Sequence, residues 1–268
     1  MGVREKNMRR HLVAGTVLSS FLLCFSVYSA PVNVQIWHEY TDYSGGYGKR
    51  NVTNMELNNK VYNGALIAGF ATGERRFDNG KSFHGNKGKV TLYYNWLPSF
   101  YTRTGVSFAD DSPVFARREV FNDLNFKIIK GGVFTVGGRH ATYFEDNEVN
   151  SWNIGSSIYA GSLMLRYQYT RYYNAGPGQS YSHVASLRIK DEKGNGSTQL
   201  WFGGGTGAYT YDWMPESRAG KLYSLSLKRV QPLRKDLNIN VSVGKQWFDT
   251  PVSSYSGVMG MFGLVYSF

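Results

Sequence analysis

Apolar residues recur at every second position in segment after segment of this chain, the period expected of strands with one face in an apolar medium. Val32, Val34, Ile36, His38 and Tyr40 share one face of a first strand, which the stretch Ser44 to Gly48 ends. A second run, Asn51 to Val61, turns at Asn63-Gly64 into a third that carries Leu66, Ala68 and Phe70. The polar stretch Asp78 to Asn86 reads as a long loop, and Val90, Leu92 and Tyr94 then lead to a short turn at Trp96-Leu97-Pro98. Phe100, Thr102, Thr104, Val106 and Phe108 alternate next, and after Asp110 to Pro113 a sixth strand is expected from Phe115 to Ile129.

The second half repeats this rhythm. Phe134, Val136, His140 and Phe144 are followed by Trp152, Ile154 and Ile158, and then by Leu163, Leu165, Tyr167 and Tyr169. Tyr181, Ala185, Leu187 and Ile189 descend to a turn around Asp191 to Gly196, after which Thr198, Leu200 and Phe202 enter the longest loop, Gly203 to Ser217. Tyr223, Leu225 and Leu227 return, Ile239, Val241, Val243 and Trp247 rise again, and Val258, Gly260, Phe262, Leu264, Tyr266 and Phe268 line one face of the closing strand. The pattern predicts about fourteen strands, or twelve if one hairpin is discounted. Most run to about ten residues, which suits a tilted strand crossing a bilayer better than a strand of a secreted sandwich.

The expected fold is therefore an all-β, single-chain antiparallel transmembrane barrel. Long and short connections alternate, which puts both termini on the side of the short turns, the periplasm in this architecture. Aromatics at strand ends fit interfacial girdles: Trp37, Tyr40 and Tyr43; Trp96, Phe100 and Tyr101; Tyr143 and Phe144; Tyr172 and Tyr173. The glycines from Gly203 to Gly207 are expected to allow a bend or bulge where the long loop leaves the rim.

The first residues read differently. Arg4, Lys6, Arg9 and Arg10 precede a mostly apolar run from Leu12 to Val27, which ends in Val27-Tyr28-Ser29-Ala30. This is the pattern of a secretory signal peptide over residues 1–29, cleaved before Ala30, with residues 30–268 as the barrel. Cys24, the only cysteine, lies inside that leader, so the exported chain has no disulfide and no thiol chemistry to offer.

Composition sharpens the picture. Aromatic residues make up 16% of the chain, with 20 Tyr and 31 Gly against 7 Pro, and the mean hydropathy of -0.36 is too polar for a bundle of membrane helices. A barrel hides its apolarity in alternate positions. Lys and Arg number 30 against 19 Asp and Glu; removing Arg4, Lys6, Arg9, Arg10 and Glu5 leaves 26 against 18, a net charge of +8. These cations are dispersed along strands, with no basic helix or RNA-binding signature, so nucleic acid is not an expected partner. Rim residues such as Lys49-Arg50 and Arg75-Arg76 suit the phosphates of lipopolysaccharide.

Several segments resemble the YaiO family of outer-membrane β-barrel proteins of Gram-negative bacteria. They are Tyr40-Thr41-Asp42-Tyr43-Ser44-Gly45, Phe108-Ala109-Asp110, Ser112-Pro113-Val114-Phe115-Ala116-Arg117, Thr198-Gln199-Leu200-Trp201, Gln231-Pro232-Leu233 and, longest of all, Gly205-Thr206-Gly207-Ala208-Tyr209-Thr210-Tyr211-Asp212-Trp213. The resemblance runs over nearly the whole exported chain. It implies an outer-membrane barrel, in some members linked with exopolysaccharide or biofilm systems, and it implies no particular activity.

Alternation assigns charges to the interior. If Val106 and Phe108 face lipid, Arg103 faces in, and the same reasoning places Arg139, Arg166, Arg188 and Lys228 inside. On the sixth strand Arg117, Glu119, Asp123 and Lys127 fall on one face; Lys87, Lys89, Glu39 and Glu56 join them. Two accounts compete: a ladder of cations drawing anions or acidic sugars into a polar pore, or a network of ion pairs that braces and plugs the barrel. The loop residues Tyr209, Tyr211, Asp212 and Trp213 are candidate sugar contacts, since aromatic faces stack on sugar rings. Tyr266 and Phe268 are the expected assembly signal, to be read by the barrel-assembly machinery.

Catalysis is not expected. His38, His140 and His183 fall on lipid-facing positions, but the same-face residues two places on are Tyr40, Thr142 and Ala185, none of them a Ser partner. Carboxylates such as Asp110-Asp111 and Glu145-Asp146 have no ordered metal-ligand spacing, and Gly203 to Gly207 lacks the Lys-Ser/Thr and helix of a phosphate loop, so neither metal nor cofactor is expected. The leading functional expectation is a passive saccharide or anion route serving exopolysaccharide export. The alternative is a non-conducting structural or surface-interaction barrel acting through its outer loops.

Overall fold

The computed structural model describes residues 32–174, 179–193, 196–206, 220–250 and 253–268. They form fourteen strands: β1 Val32–Tyr43, β2 Gly48–Val61, β3 Gly64–Arg76, β4 Ser82–Leu97, β5 Phe100–Ala109, β6 Arg118–Ile129, β7 Gly132–Thr142, β8 Glu148–Ala160, β9 Leu163–Asn174, β10 Gln179–Lys190, β11 Ser197–Thr206, β12 Lys221–Pro232, β13 Leu237–Asp249 and β14 Ser254–Ser267. Each pairs antiparallel with its neighbour in sequence, and β14 closes on β1 into a barrel. Closure leaves no strand edge, the condition for placing β-structure in lipid. At the seam Tyr266 pairs with Val34 and Leu237, and the Phe268 amide donates to the Val32 carbonyl at 2.9 Å.

Val32 and Phe268, the first and last described residues, lie at one end of the barrel. There the connections Tyr62-Asn63, Pro98-Ser99, Lys130-Gly131 and Gly161-Ser162 are two residues long, with Gly131 and Gly161 at positive φ as such tight hairpins require. The strands run from ten residues in β5 and β11 to sixteen in β4. One face carries Ile36, Phe70, Val90, Leu92, Val106, Leu165, Leu227, Val243 and Phe262, all well exposed. Exposed apolar side chains arranged in a continuous outer belt are what a bilayer covers.

Three boundaries differ from the pattern-based expectation. Asp78 to Asn86 is no long loop: residues 77–81 connect β3 to β4, which starts at Ser82. Here the outward residues Ser82, His84 and Asn86 are polar, so the apolar alternation is hidden. The sixth strand starts at Arg118 rather than Phe115, because Val114, Phe115 and Ala116 leave the wall and fold into the interior. Gly203, Gly204 and Gly205 continue β11 in unbroken register with Val184, His183 and Ser182, without the expected bulge.

The aromatic girdles are also half as populated as the strand-end clusters suggest. Side chains alternate along a strand, so of each adjacent pair one points in. Tyr143 is buried inside while Tyr173 is exposed outside and accepts a 3.2 Å hydrogen bond from Trp152 Nε1. Tyr43 lies beside Phe248 and Tyr255, which are buried in the interior, and Trp37 Nε1 donates to Glu39 at 2.7 Å.

Candidate functional site

The inward faces of β2 to β7 carry both charge signs at matching heights. Arg103 and Asp123 are register partners on β5 and β6 and approach to 3.4 Å. Glu119 on β6 receives Arg139 from β7 at 2.9 Å and Lys87 from β4 at 3.2 Å, with its side chain only 15% exposed. Lys89 on β4 pairs with Glu56 on β2. Arg103 also stacks on the Phe121 ring, 4.6 Å from its centroid. Ion pairs this well screened from solvent hold neighbouring strands together and are costly to break from one side.

The inner face from β9 to β12 is different. Arg166 donates to Gln168 Oε1 at 2.8 Å, Arg188 lies level with Gln199, and Gln199 lies level with Lys228 on β12. Among the described residues, none of Arg166, Arg188 and Lys228 forms a salt bridge, and the buried Nε of Arg188 has no hydrogen-bond partner. Lys228 is within electrostatic reach of Glu39 on β1 and Glu56 on β2 but forms no salt bridge with either. The residues between these cations are neutral: Ser180, Ser182 and Ser186 on β10, Trp201 on β11, and Ser224 and Ser226 on β12. Among the described residues, and apart from Lys60 and Lys127 at the short-turn end, the lumen is thus polarised: Lys87, Lys89, Arg103 and Arg139 are paired on the β2–β7 wall, and Arg166, Arg188 and Lys228 on the β9–β12 wall are not.

The segment 110–117 decides how much of the lumen is filled. Its base is closed by the Ala109 amide donating to the Arg117 carbonyl at 2.8 Å, and Asp110 Oδ2 accepts from the backbone and side chain of Asn86 at 2.8 and 2.9 Å. Val114 and Phe115 pack on Val52 and Ala71 of β2 and β3. Ala116 packs on Ala141, Tyr143 and Val149 of the β7–β8 wall. Gly73 and Gly85 open the socket: a Cβ on Gly73 would stand 2.9 Å from Val114 and 3.0 Å from Phe115. The segment therefore spans the lumen from β2 to β8 on the side that is ion-paired. Between it and Glu39, Arg50, Glu56, Lys87 and Lys89 remains a cavity of about 190 Å³.

Arg117 is not part of the lumen ladder. It sits at the end of the infolded segment and pairs with Asp146 and, at 3.8 Å, with Asp111. Asp146 adopts a left-handed backbone at φ 57° in the single 3-10 turn Phe144–Asp146, so this contact ties two loops at one rim. At the opposite rim Asp191 accepts two hydrogen bonds from Arg229, at 2.7 and 2.6 Å. Those bonds hold its carboxyl below the usual aspartate range. Tyr209, Tyr211, Asp212 and Trp213 lie outside the described residues.

Three outward histidines each meet a polar neighbour on an adjacent strand: His38 with Thr53 at 2.9 Å, His140 with Asn150 at 2.8 Å, and His183 with the Tyr167 hydroxyl at 2.6 Å. Cross-strand partners like these escape a reading that looks two residues along one strand. They satisfy imidazoles that would otherwise face lipid without a hydrogen bond.

A family model described as the YaiO membrane beta barrel domain matches residues 32–212. Among solved structures, the CymD monoaromatic hydrocarbon channel matches with a TM-score of 0.65 at 7% identity, over 90% of this chain and 89% of that one. A bacterial polysaccharide outer membrane secretin matches with a TM-score of 0.59 at 8% identity, over 88% of this chain and 98% of that one. An anion-selective porin from Comamonas acidovorans gives 0.50 at 12% identity, over 89% and 98%. At such identities the likeness is one of fold: the closed barrel of outer-membrane porins and channels.

Proposed function

Because the chain belongs to the YaiO family of membrane β-barrels, we propose that it provides a passive route for anions and saccharides across the outer membrane, running along the β9–β12 wall. The observation that carries this reading is the trio Arg166, Arg188 and Lys228, which has no carboxylate partner among the described residues. A structural brace would be paired, as Glu119 is; cations left unpaired in a polar lumen concentrate anions. The resemblance to YaiO proteins supports service in exopolysaccharide export, reached through a cleaved leader over residues 1–29. The similar folds include one titled an anion-selective porin and one titled a polysaccharide secretin.

In this reading the short turns and both termini face the periplasm, and the closing strand with Tyr266 and Phe268 is what the barrel-assembly machinery reads. Lipid and lipopolysaccharide surround the outer belt. Phe268→Ser should sharply reduce heat-modifiable, membrane-inserted protein while leaving export intact; normal insertion of that variant would remove the assembly role.

Planar-bilayer recording of the purified barrel tests the route itself. Discrete conductance steps are expected, and folded protein that never conducts would defeat it. The infolded segment 110–117 favours a second reading in that event, a non-conducting barrel acting at the surface through Tyr209, Tyr211, Asp212 and Trp213.

A further inference from the structure

At the end of the barrel that carries the short turns, the lumen widens into a cavity of about 1010 Å³. Lys60 of β2, Tyr93 of β4, Tyr101 of β5, Lys127 of β6 and Tyr159 of β8 line it, together with the turn residues Pro98-Ser99 and Lys130-Gly131. Tyr101 is the centre of this group, within electrostatic reach of Tyr93, Tyr159, Arg103 and Arg166. The Lys127 ammonium stands 5.7 Å from the centroid of its ring. Tyr159 is 44% exposed. Among the described residues, the hydroxyls of Tyr93, Tyr101 and Tyr159 have no hydrogen-bond partner, and Lys60 and Lys127 have no carboxylate.

Three tyrosines with open faces and free hydroxyls, set among lysines without counter-charge, form a specific chemical environment. Aromatic faces stack on the C–H faces of sugar rings, while the hydroxyls exchange hydrogen bonds with sugar hydroxyls. Lysine supplies a mobile point charge for a carboxylate that moves past it, without the fixed bidentate geometry of arginine. A site that must hold a chain in transit gains from that looseness, because tight fixation would stop conduction.

We propose that this vestibule is a docking site for an acidic saccharide chain of the uronic-acid class, held by stacking on Tyr101 and Tyr159 and by charge from Lys60 and Lys127. The site deepens the reading of the barrel as a saccharide route and rests on it. It places the first contact of the chain at the end of the lumen opposite the infolded segment 110–117. The cavity is large for a small ion and falls at the upper end of small-ligand pockets, roughly 300–1,000 Å³.

Isothermal titration of the folded barrel in detergent, with hexagalacturonate as probe and maltohexaose as its neutral counterpart, tests the assignment without requiring conduction. The acidic hexamer should bind, the neutral one should bind about tenfold more weakly, and added salt should erase the difference. The double variant Lys60→Gln/Lys127→Gln should also erase it. Tyr101→Ala/Tyr159→Ala should weaken both sugars by about tenfold while the protein keeps its heat-modifiable mobility. Should that pair not fold, Tyr159→Ala alone, at the exposed turn, is the variant to titrate. Equal binding of the two sugars by the native barrel, or unchanged binding in the tyrosine variants, overturns the assignment. A barrel that binds the acidic hexamer but never conducts supports the site and defeats the route; one that conducts but does not bind defeats the site alone.

Discussion

Glu119 and Lys228 face the same lumen and call for opposite experiments. Glu119 holds Arg139 and Lys87 in a part-buried triad, so Glu119→Gln leaves two cations facing each other and should cost about 3 kcal/mol. The cost is read as a lower unfolding midpoint in detergent, with ion selectivity nearly unchanged; an unaltered midpoint would show that the triad braces nothing. Lys228 has no such partner, and neutralising it should leave stability as it was. That both side chains point inward was legible in the sequence, since alternation with the outward Val120 or Leu227 suffices. Which of them is paired was not, because pairing depends on cross-strand register, and that is set by closure of the whole barrel rather than by any local period. Arg117 shows the same limit: it has the right parity for β6, but the strand begins one residue later.

Among the elements, the strands were largely readable and the segment 110–117 was not. Strand existence follows from apolar alternation, and fourteen were legible because the lipid face must be apolar in every one. The first residues of β4 were hidden because Ser82, His84 and Asn86 face outward where polar and not apolar residues stand, and Phe83 and Gly85 face the loop plug inside. Val114 and Phe115 look like strand residues, yet they fill the socket left by Gly73 and Gly85, a tertiary fit no periodicity reports. Replacing both by Ser should loosen this plug, because their burial on Val52 and Ala71 is what holds it, at roughly 1.5–3 kcal/mol per large apolar side chain. Single-channel conductance should then rise; an unchanged conductance would show that the segment does not narrow the path.

At the scale of the whole molecule, an even number of antiparallel strands fixes Val32 and Phe268 to the side of the short turns, while the compartment on that side is a matter of orientation. Asp78, in the β3–β4 connection, and Ser162, in the β8–β9 turn, lie at opposite ends. If the proposed leader that carries Cys24 is removed, Asp78→Cys and Ser162→Cys each introduce the only thiol of the exported chain. A membrane-impermeant maleimide on whole cells should label the first and spare the second; the reverse pattern would invert the barrel. The proposed anion route depends on Arg166, Arg188 and Lys228 remaining unpaired opposite the ion-paired β2–β7 wall. The most direct test is the reversal potential across a salt gradient for the triple variant Arg166→Glu/Arg188→Glu/Lys228→Glu. The native barrel should prefer anions and the stably folded triple variant cations, since the sign of fixed charge in a narrow lumen selects the ion. An unchanged reversal potential, in a variant that folds and conducts, would contradict it.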